Sequence, residues 1–172
     1  MDIENTQKVH RIGHLLEDAK VTIKQDFSFE VAGVKTVGKD GDVNNMPRWM
    51  GEIVQDAGLG TMESTDMITE LKQALSKEKM VGQYAISTLE PHFYIKLKES
   101  MKLLERDDFN RIEDLMLQLF RMRRGKLVTL ADTTKLTSDL HSKLSVEEHV
   151  FYKTIRENSL EFERQIRGDT DE

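Results

Sequence analysis

The sequence predicts a mostly α-helical protein of the α+β class, a helical bundle preceded by a small β-containing part. Three observations carry this. Apolar residues alternate with period two only between Phe27 and Val37, the signature of a strand. From about residue 63 onward they recur three and four residues apart, the signature of helices that pack by one face. The 2 prolines stand at the heads of aromatic-bearing segments, Met46-Pro47-Arg48-Trp49-Met50 and Pro91-His92-Phe93-Tyr94, and proline fits the first turn of a helix. The expected organisation is a small mixed α/β domain over 1–62, a helical domain over 63–168 and an acidic tail over 169–172.

Taken in order, Val9, Ile12, Leu16 and Ala19 share one face and predict a short amphipathic helix. Phe27, Phe29 and Val31 alternate with Ser28, Glu30 and Ala32, which predicts a strand reaching Val37. Gly38-Lys39-Asp40-Gly41-Asp42 predicts a turn. A helix over Met46 to Ala57 should stop at Gly58, and Gly60 should break the chain again. Four or five helices follow. Ile68, Leu71 and Leu75 mark one, and Phe93, Leu97, Met101 and Leu104 the next. Asp107-Asp108 offers a cap for a helix with the stripe Phe109, Ile112, Met116, Leu119. That helix also carries Leu115, Leu117, Phe120 and Leu127, a face wide enough to need neighbours on more than one side. Ser145-Val146-Glu147-Glu148 matches a capping box ahead of Phe151, Ile155, Phe162 and Ile166.

Composition narrows the function classes. Among 172 residues, 38% are hydrophobic and 33% charged, enough for a core but lean in apolar content. The net charge of −6 argues against a chain built to hold a nucleic-acid backbone. With Cys 0, disulfides and thiolate metal sites are excluded. The acidic start lacks the apolar run of a secretory signal, and no stretch is long enough for a membrane span. A soluble intracellular protein is expected.

Patterns that could carry chemistry each fall short. His10 and His14 have the i, i+4 spacing of zinc ligands, but Arg11 stands where a metalloprotease has its general base, and no third ligand is evident. They read as surface histidines. Asp40, Asp42 and Asn44 resemble the start of a calcium loop, yet Asn45 and Gly51 occupy its essential glycine and glutamate positions. Gly58-Leu59-Gly60-Thr61 follows a helix and lacks a lysine, so it is no phosphate cradle. No serine, histidine and carboxylate grouping suggests a nucleophile. No catalytic residue, cofactor or metal ligand is therefore expected. Arg121, Arg123, Arg124 and Lys126 form the dense basic cluster, and on a helix they fan around more than half the circumference. They suit ion pairs with acidic helices better than one phosphate-reading stripe. A free-standing helical regulator binding DNA through Arg121 to Lys126 is the alternative.

The ordered set of features resembles the subunits of the GINS complex, which accompanies the replicative helicase in archaea and eukaryotes. Phe29-Glu30-Val31-Ala32 is similar to the early strand of the subunits whose small domain comes first. Met46-Pro47-Arg48-Trp49-Met50-Gly51 resembles their Leu-Pro-Leu-Trp-Leu-Ala type segment, with Arg48 and Gly51 departing from it. Pro91-His92-Phe93-Tyr94 is similar to a Pro-Tyr-Phe-Tyr type segment, and Leu144-Ser145-Val146-Glu147-Glu148 to the start of the final helix. Phe120-Arg121-Met122-Arg123-Arg124-Gly125-Lys126-Leu127 resembles an Arg-rich helix of several subunits. The chain's shortness and compact loops favour an archaeal member.

This resemblance implies a non-catalytic scaffold of four subunits, homo- or heteromeric, with a small B-domain before a helical A-domain. It implies as partners the other GINS subunits, the MCM helicase, a Cdc45/RecJ-like protein and, in archaea, primase or polymerase. It also implies a cytoplasmic place at the nucleoid-associated replisome. Direct contact with DNA is left open. Phe93, Tyr94, Leu97, Phe120 and Leu127 are expected to serve packing or subunit contact. Arg121, Arg123 and Arg124 are expected to form ion pairs, and Trp49 to anchor the small domain, so that Trp49→Ala unfolds the front part.

Overall fold

A computed structural model of the chain describes residues 3–31 and 33–168. It divides into two compact units, with the boundary between Thr65 and Asp66. The fold class is the one expected, a small antiparallel β part ahead of helices.

The first unit runs α1 (Ile3–Leu16), β1 (Asp18–Ile23), β2 (Phe27–Val31), β3 (Val34–Gly38), β4 (Val43–Pro47), α2 (Arg48–Asp56) and β5 (Gly60–Met62). β1 is the central strand of a three-stranded antiparallel sheet, with Val21 opposite Asn44 on β4 and Met62 on β5. Its side chains alternate, so Ala19, Val21 and Ile23 are buried while Lys20 and Thr22 face outward. Ala19 thus belongs to a strand and not to the first helix. Its i+3 distance from Leu16 concealed a period of two.

The strand expected over 27–37 is a hairpin of β2 and β3, with Phe29 opposite Thr36. Gly33 at φ +80° permits the reversal, which alternation alone does not signal. Residues 46 and 47 belong to β4. Pro47 stands at the N-cap of α2, one position before the helical turn that proline was expected to fill. Gly58 stops α2 with φ +73°, as a left-handed residue should. Gly60, by contrast, opens β5. A Cβ there would lie 2.9 Å from the Thr22 carbonyl oxygen and 2.9 Å from Val54 Cγ1, so only glycine lets this strand close on β1.

Val21, Ile23, Met46, Met50 and Val54 form the core of this unit, with Trp49, Phe27, Phe29, Leu59 and Met62 half-buried around them. Val9, Ile12 and Leu16 of α1 do not join it. They are exposed, whereas His14 is fully buried with Nδ1 2.9 Å from Glu17 Oε2. Reading His14 as a surface residue was therefore wrong, because periodicity cannot say which face of a helix its unit covers.

The second unit contains α3 (Met67–Met80), α4 (Phe93–Met101), α5 (Arg106–Thr133), the short α6 (Ser138–Ser142) and α7 (Val146–Arg167). Asp66 caps α3 by accepting from the N–H groups of Ile68 and Thr69. α5 begins earlier than expected, with Glu105 as N-cap. Asp107 and Asp108 lie in its first turn, where carboxylates complement the helix dipole without capping. α5 packs against both α3 and α7. One core joins α3, α4 and the first half of α5 through Leu71, Leu75, Phe93, Leu97 and Leu119. Another joins Ile86 and the second half of α5 to α6 and α7 through Leu127, Ala131, Leu140 and Tyr152. α7 starts in a complete capping box, with the Ser145 and Glu148 side chains each serving the other's backbone N–H.

Candidate functional site

At the junction of these two cores a charged residue occupies the apolar stripe of α5. Ile112, Met116, Leu119, Arg123 and Leu127 follow one another at helical spacing, and Arg123 is 0% exposed. A guanidinium can be buried only when its donors are satisfied and its charge is balanced. Both conditions are met. Nε and Nη2 donate to the two oxygens of Glu148 at 2.6 and 2.7 Å, a bidentate pair. Nη1 donates to Glu78 Oε2 at 2.7 Å and to the Ser87 carbonyl at 2.7 Å. Nη2 also reaches the Lys143 carbonyl at 3.1 Å.

The carboxylates are as fully engaged. Glu78 Oε1 accepts from Lys126 Nζ at 2.6 Å, and Oε2 accepts from the Ser87 N–H and hydroxyl at 3.1 and 2.7 Å. Glu148 accepts from the Tyr94 hydroxyl at 3.1 Å and from the Ser145 N–H at 3.2 Å. Two cations and two carboxylates thus balance, and the cluster ties α3, the 81–92 segment, α4, α5 and the cap of α7 together. Lys126 also donates to the Glu78 and Val81 carbonyls, closing the end of α3.

These surroundings shift the titrations. Burial pushes the Glu78 carboxyl up, but hydrogen bonds from Lys126 and Ser87 and the Arg123 charge outweigh it and hold the group below its ordinary 4.5. Tyr94 moves above its ordinary 10.0, chiefly through burial and then through the Glu148 charge. A depressed carboxyl contributes stability that is present above the unfolded value and lost as pH falls through the folded one. A raised phenol contributes stability that is present below its unfolded value and lost on ionisation above it. The helical unit is therefore expected to lose stability on both sides of a plateau between about pH 4.5 and pH 10.0. Chemical denaturation across pH checks this, and Tyr94→Phe should flatten the alkaline limb alone.

The same helix has a second, exposed face. Leu117, Phe120 and Val128 are 36%, 41% and 41% exposed, and the Arg124 guanidinium carbon lies 5.7 Å from the centre of the Phe120 ring. Arg121 is exposed as well. No carboxylate of the described residues lies within ion-pair reach of Arg121 or Arg124.

Residues 62–167, more than half of the chain, match the family described as "GINS complex protein helical bundle domain". The chain belongs to the GINS family. A comparison with curated proteins finds no match. Membership of the GINS replication complex, in association with other GINS subunits, follows from the family. Among the described residues no helix is long and apolar enough to cross a membrane.

Within this GINS bundle the residues singled out in the sequence separate by environment. Phe93, Tyr94, Leu97 and Leu127 are buried inside the unit, and Phe120 is exposed. Arg123 and Lys126 lie in the internal cluster, while Arg121 and Arg124 stay outside it. Glu78, Ser87 and the second role of Glu148 escaped the sequence reading, which gave Glu148 a capping role alone and singled out neither Glu78 nor Ser87. A signal was there. Glu78 continues the buried spacing Leu71, Ala74, Leu75, and Glu148 continues back from Phe151, Tyr152 and Ile155. Two acids and an arginine standing in core register imply one another.

Proposed function

We propose that this chain is a non-catalytic subunit of a four-subunit GINS scaffold that bridges the MCM replicative helicase and a Cdc45/RecJ-like partner. This reading extends to primase or polymerase as further partners, and to an archaeal, cytoplasmic replisome at the nucleoid. The observation that carries it is a family bundle whose buried charges are paired internally while large apolar side chains remain outside. Val9, Ile12 and Leu16 on α1, Leu117, Phe120 and Val128 on α5, and Leu160, Phe162 and Ile166 on α7 are all at least 36% exposed. Burying such faces is the dominant favourable term in stable association. Trp49 holds the rim of the small domain in this reading. The DNA-binding alternative loses two of its four cations to the buried cluster.

Co-expression with the sister GINS subunits of the same organism tests this by light scattering after size exclusion. The expected result is a particle with the mass of four chains that retains MCM and the Cdc45/RecJ-like protein. A monomer that retains none of them overturns the proposal.

A further inference from the structure

We infer that the exposed face of α5 is a docking groove for one amphipathic helix of another protein chain, carrying a bulky apolar side chain flanked by carboxylates. The inference rests on the reading of the chain as a GINS subunit and specifies the partner's chemistry at one surface.

The groove has a built interior. A cleft of about 240 Å³ lies between α4, α5 and α7, lined by Tyr94, Met116, Leu117, Phe120, Leu127 and Phe151. It offers an incoming apolar side chain a largely apolar wall, with Lys98, Glu147 and Glu148 as its charged part. From Leu117 through Phe120 and Arg124 to Val128 the strip follows helical spacing for three turns, roughly 16 Å at 1.5 Å per residue. A strip of that length, apolar at Leu117, Phe120 and Val128, is what a second helix covers with side chains at i, i+3, i+4 and i+7.

Charge selects the partner's flanks. Arg124 lies within the strip and Arg121 at its edge, and Lys98 lines the cleft from α4. The two arginines have no carboxylate partner among the described residues, and Arg124 is already stacked on the ring that an incoming side chain would touch. Carboxylates one turn either side of the apolar anchor would complete both pairs as the groove is desolvated.

A phosphate backbone fits less well. The two arginines stand among the apolar Leu117, Phe120 and Val128, and Glu147 also lines the cleft. A second copy of this chain also fits less well. Its own exposed helical segment, with Leu160, Phe162 and Ile166, has its acids already paired, Glu161 with Arg164 at 3.1 Å and Glu163 with Arg167.

The test uses the full chain co-expressed with a sister GINS subunit, and two exposed-site variants, Phe120→Ala and the double variant Arg121→Glu, Arg124→Glu. Circular dichroism and thermal unfolding confirm that both variants fold. The expected result is a loss of affinity for the sister of at least tenfold with Phe120→Ala and more with the charge reversal, the latter masked at high salt. Variants that bind the sister as the unaltered chain does overturn this inference while leaving the GINS reading intact. Two other results also overturn it. One is charge reversal that abolishes binding of a labelled 30-mer duplex without touching the sister. The other is a dimer of the isolated chain that Phe120→Ala dissolves. An unaltered chain that binds no sister overturns both readings.

Discussion

Arg123→Ala is expected to lower the stability of the helical unit by about 3–5 kcal/mol, the cost of breaking a buried pair from one side. The cause is what the substitution leaves behind. Glu78 is 0% and Glu148 4% exposed, and each would lose its buried guanidinium partner. Ser87 and Lys143 would also lose the donor to their carbonyl oxygens. For a unit of this size the melting temperature should fall by on the order of 15 °C. Acidity separates this cause from simple loss of packing. In the unaltered protein, protonating Glu78 destabilises; in the variant, protonation relieves a stranded charge. The gap between the two proteins should therefore narrow as pH falls below 4.5. A gap that stays constant with pH would mean that the arginine acts through its volume alone. Arg123→Lys should recover only part of the loss, because an ammonium cannot grip Glu148 with two parallel bonds while reaching Glu78.

In the front unit the largest effect is expected from Ile23→Ala. Ile23 is 1% exposed at the end of β1 and belongs to the core cluster of this unit, and truncation of a core isoleucine costs about 2–5 kcal/mol. A domain of this size buries proportionally little surface and has small reserves, so this change should unfold it under mild conditions. Trp49→Ala should do less, since Trp49 is half-buried at the edge of the Met46, Met50 and Val54 cluster. With Trp 1 in the sequence, fluorescence reports the front unit while far-ultraviolet circular dichroism reports chiefly the helical one. Urea titration of Ile23→Ala should move the fluorescence transition to lower denaturant and leave the helical transition in place. Coincident movement of both signals would show that the two cores are one cooperative system.

The sequence was most legible where local rules act alone. The capping box at Ser145 and Glu148, the stop at Gly58 and the stripes of α3, α4 and α5 depend on residues within a turn or two of each other. It was least legible where a local pattern admits two solutions. Leu16 and Ala19 satisfy a helix, yet Ala19, Val21 and Ile23 satisfy a strand, and pairing with β4 and β5 chose the strand. Two-fold alternation from Phe27 to Val37 fits one long strand as well as a hairpin, and the reversal at Gly33 chose the hairpin.

By itself, the sequence determined the class of the fold, the family whose pattern the chain carries, and the presence of a basic cluster on a broad apolar helix. Only the tertiary structure decided what each of those cations does. On an isolated α5 the four would differ little, because a helix in water screens all its faces alike. Packing α3 and α7 against one side removes water there. A charge on that side must then find Glu78 or Glu148, and Arg121 and Arg124 stay on the exposed face.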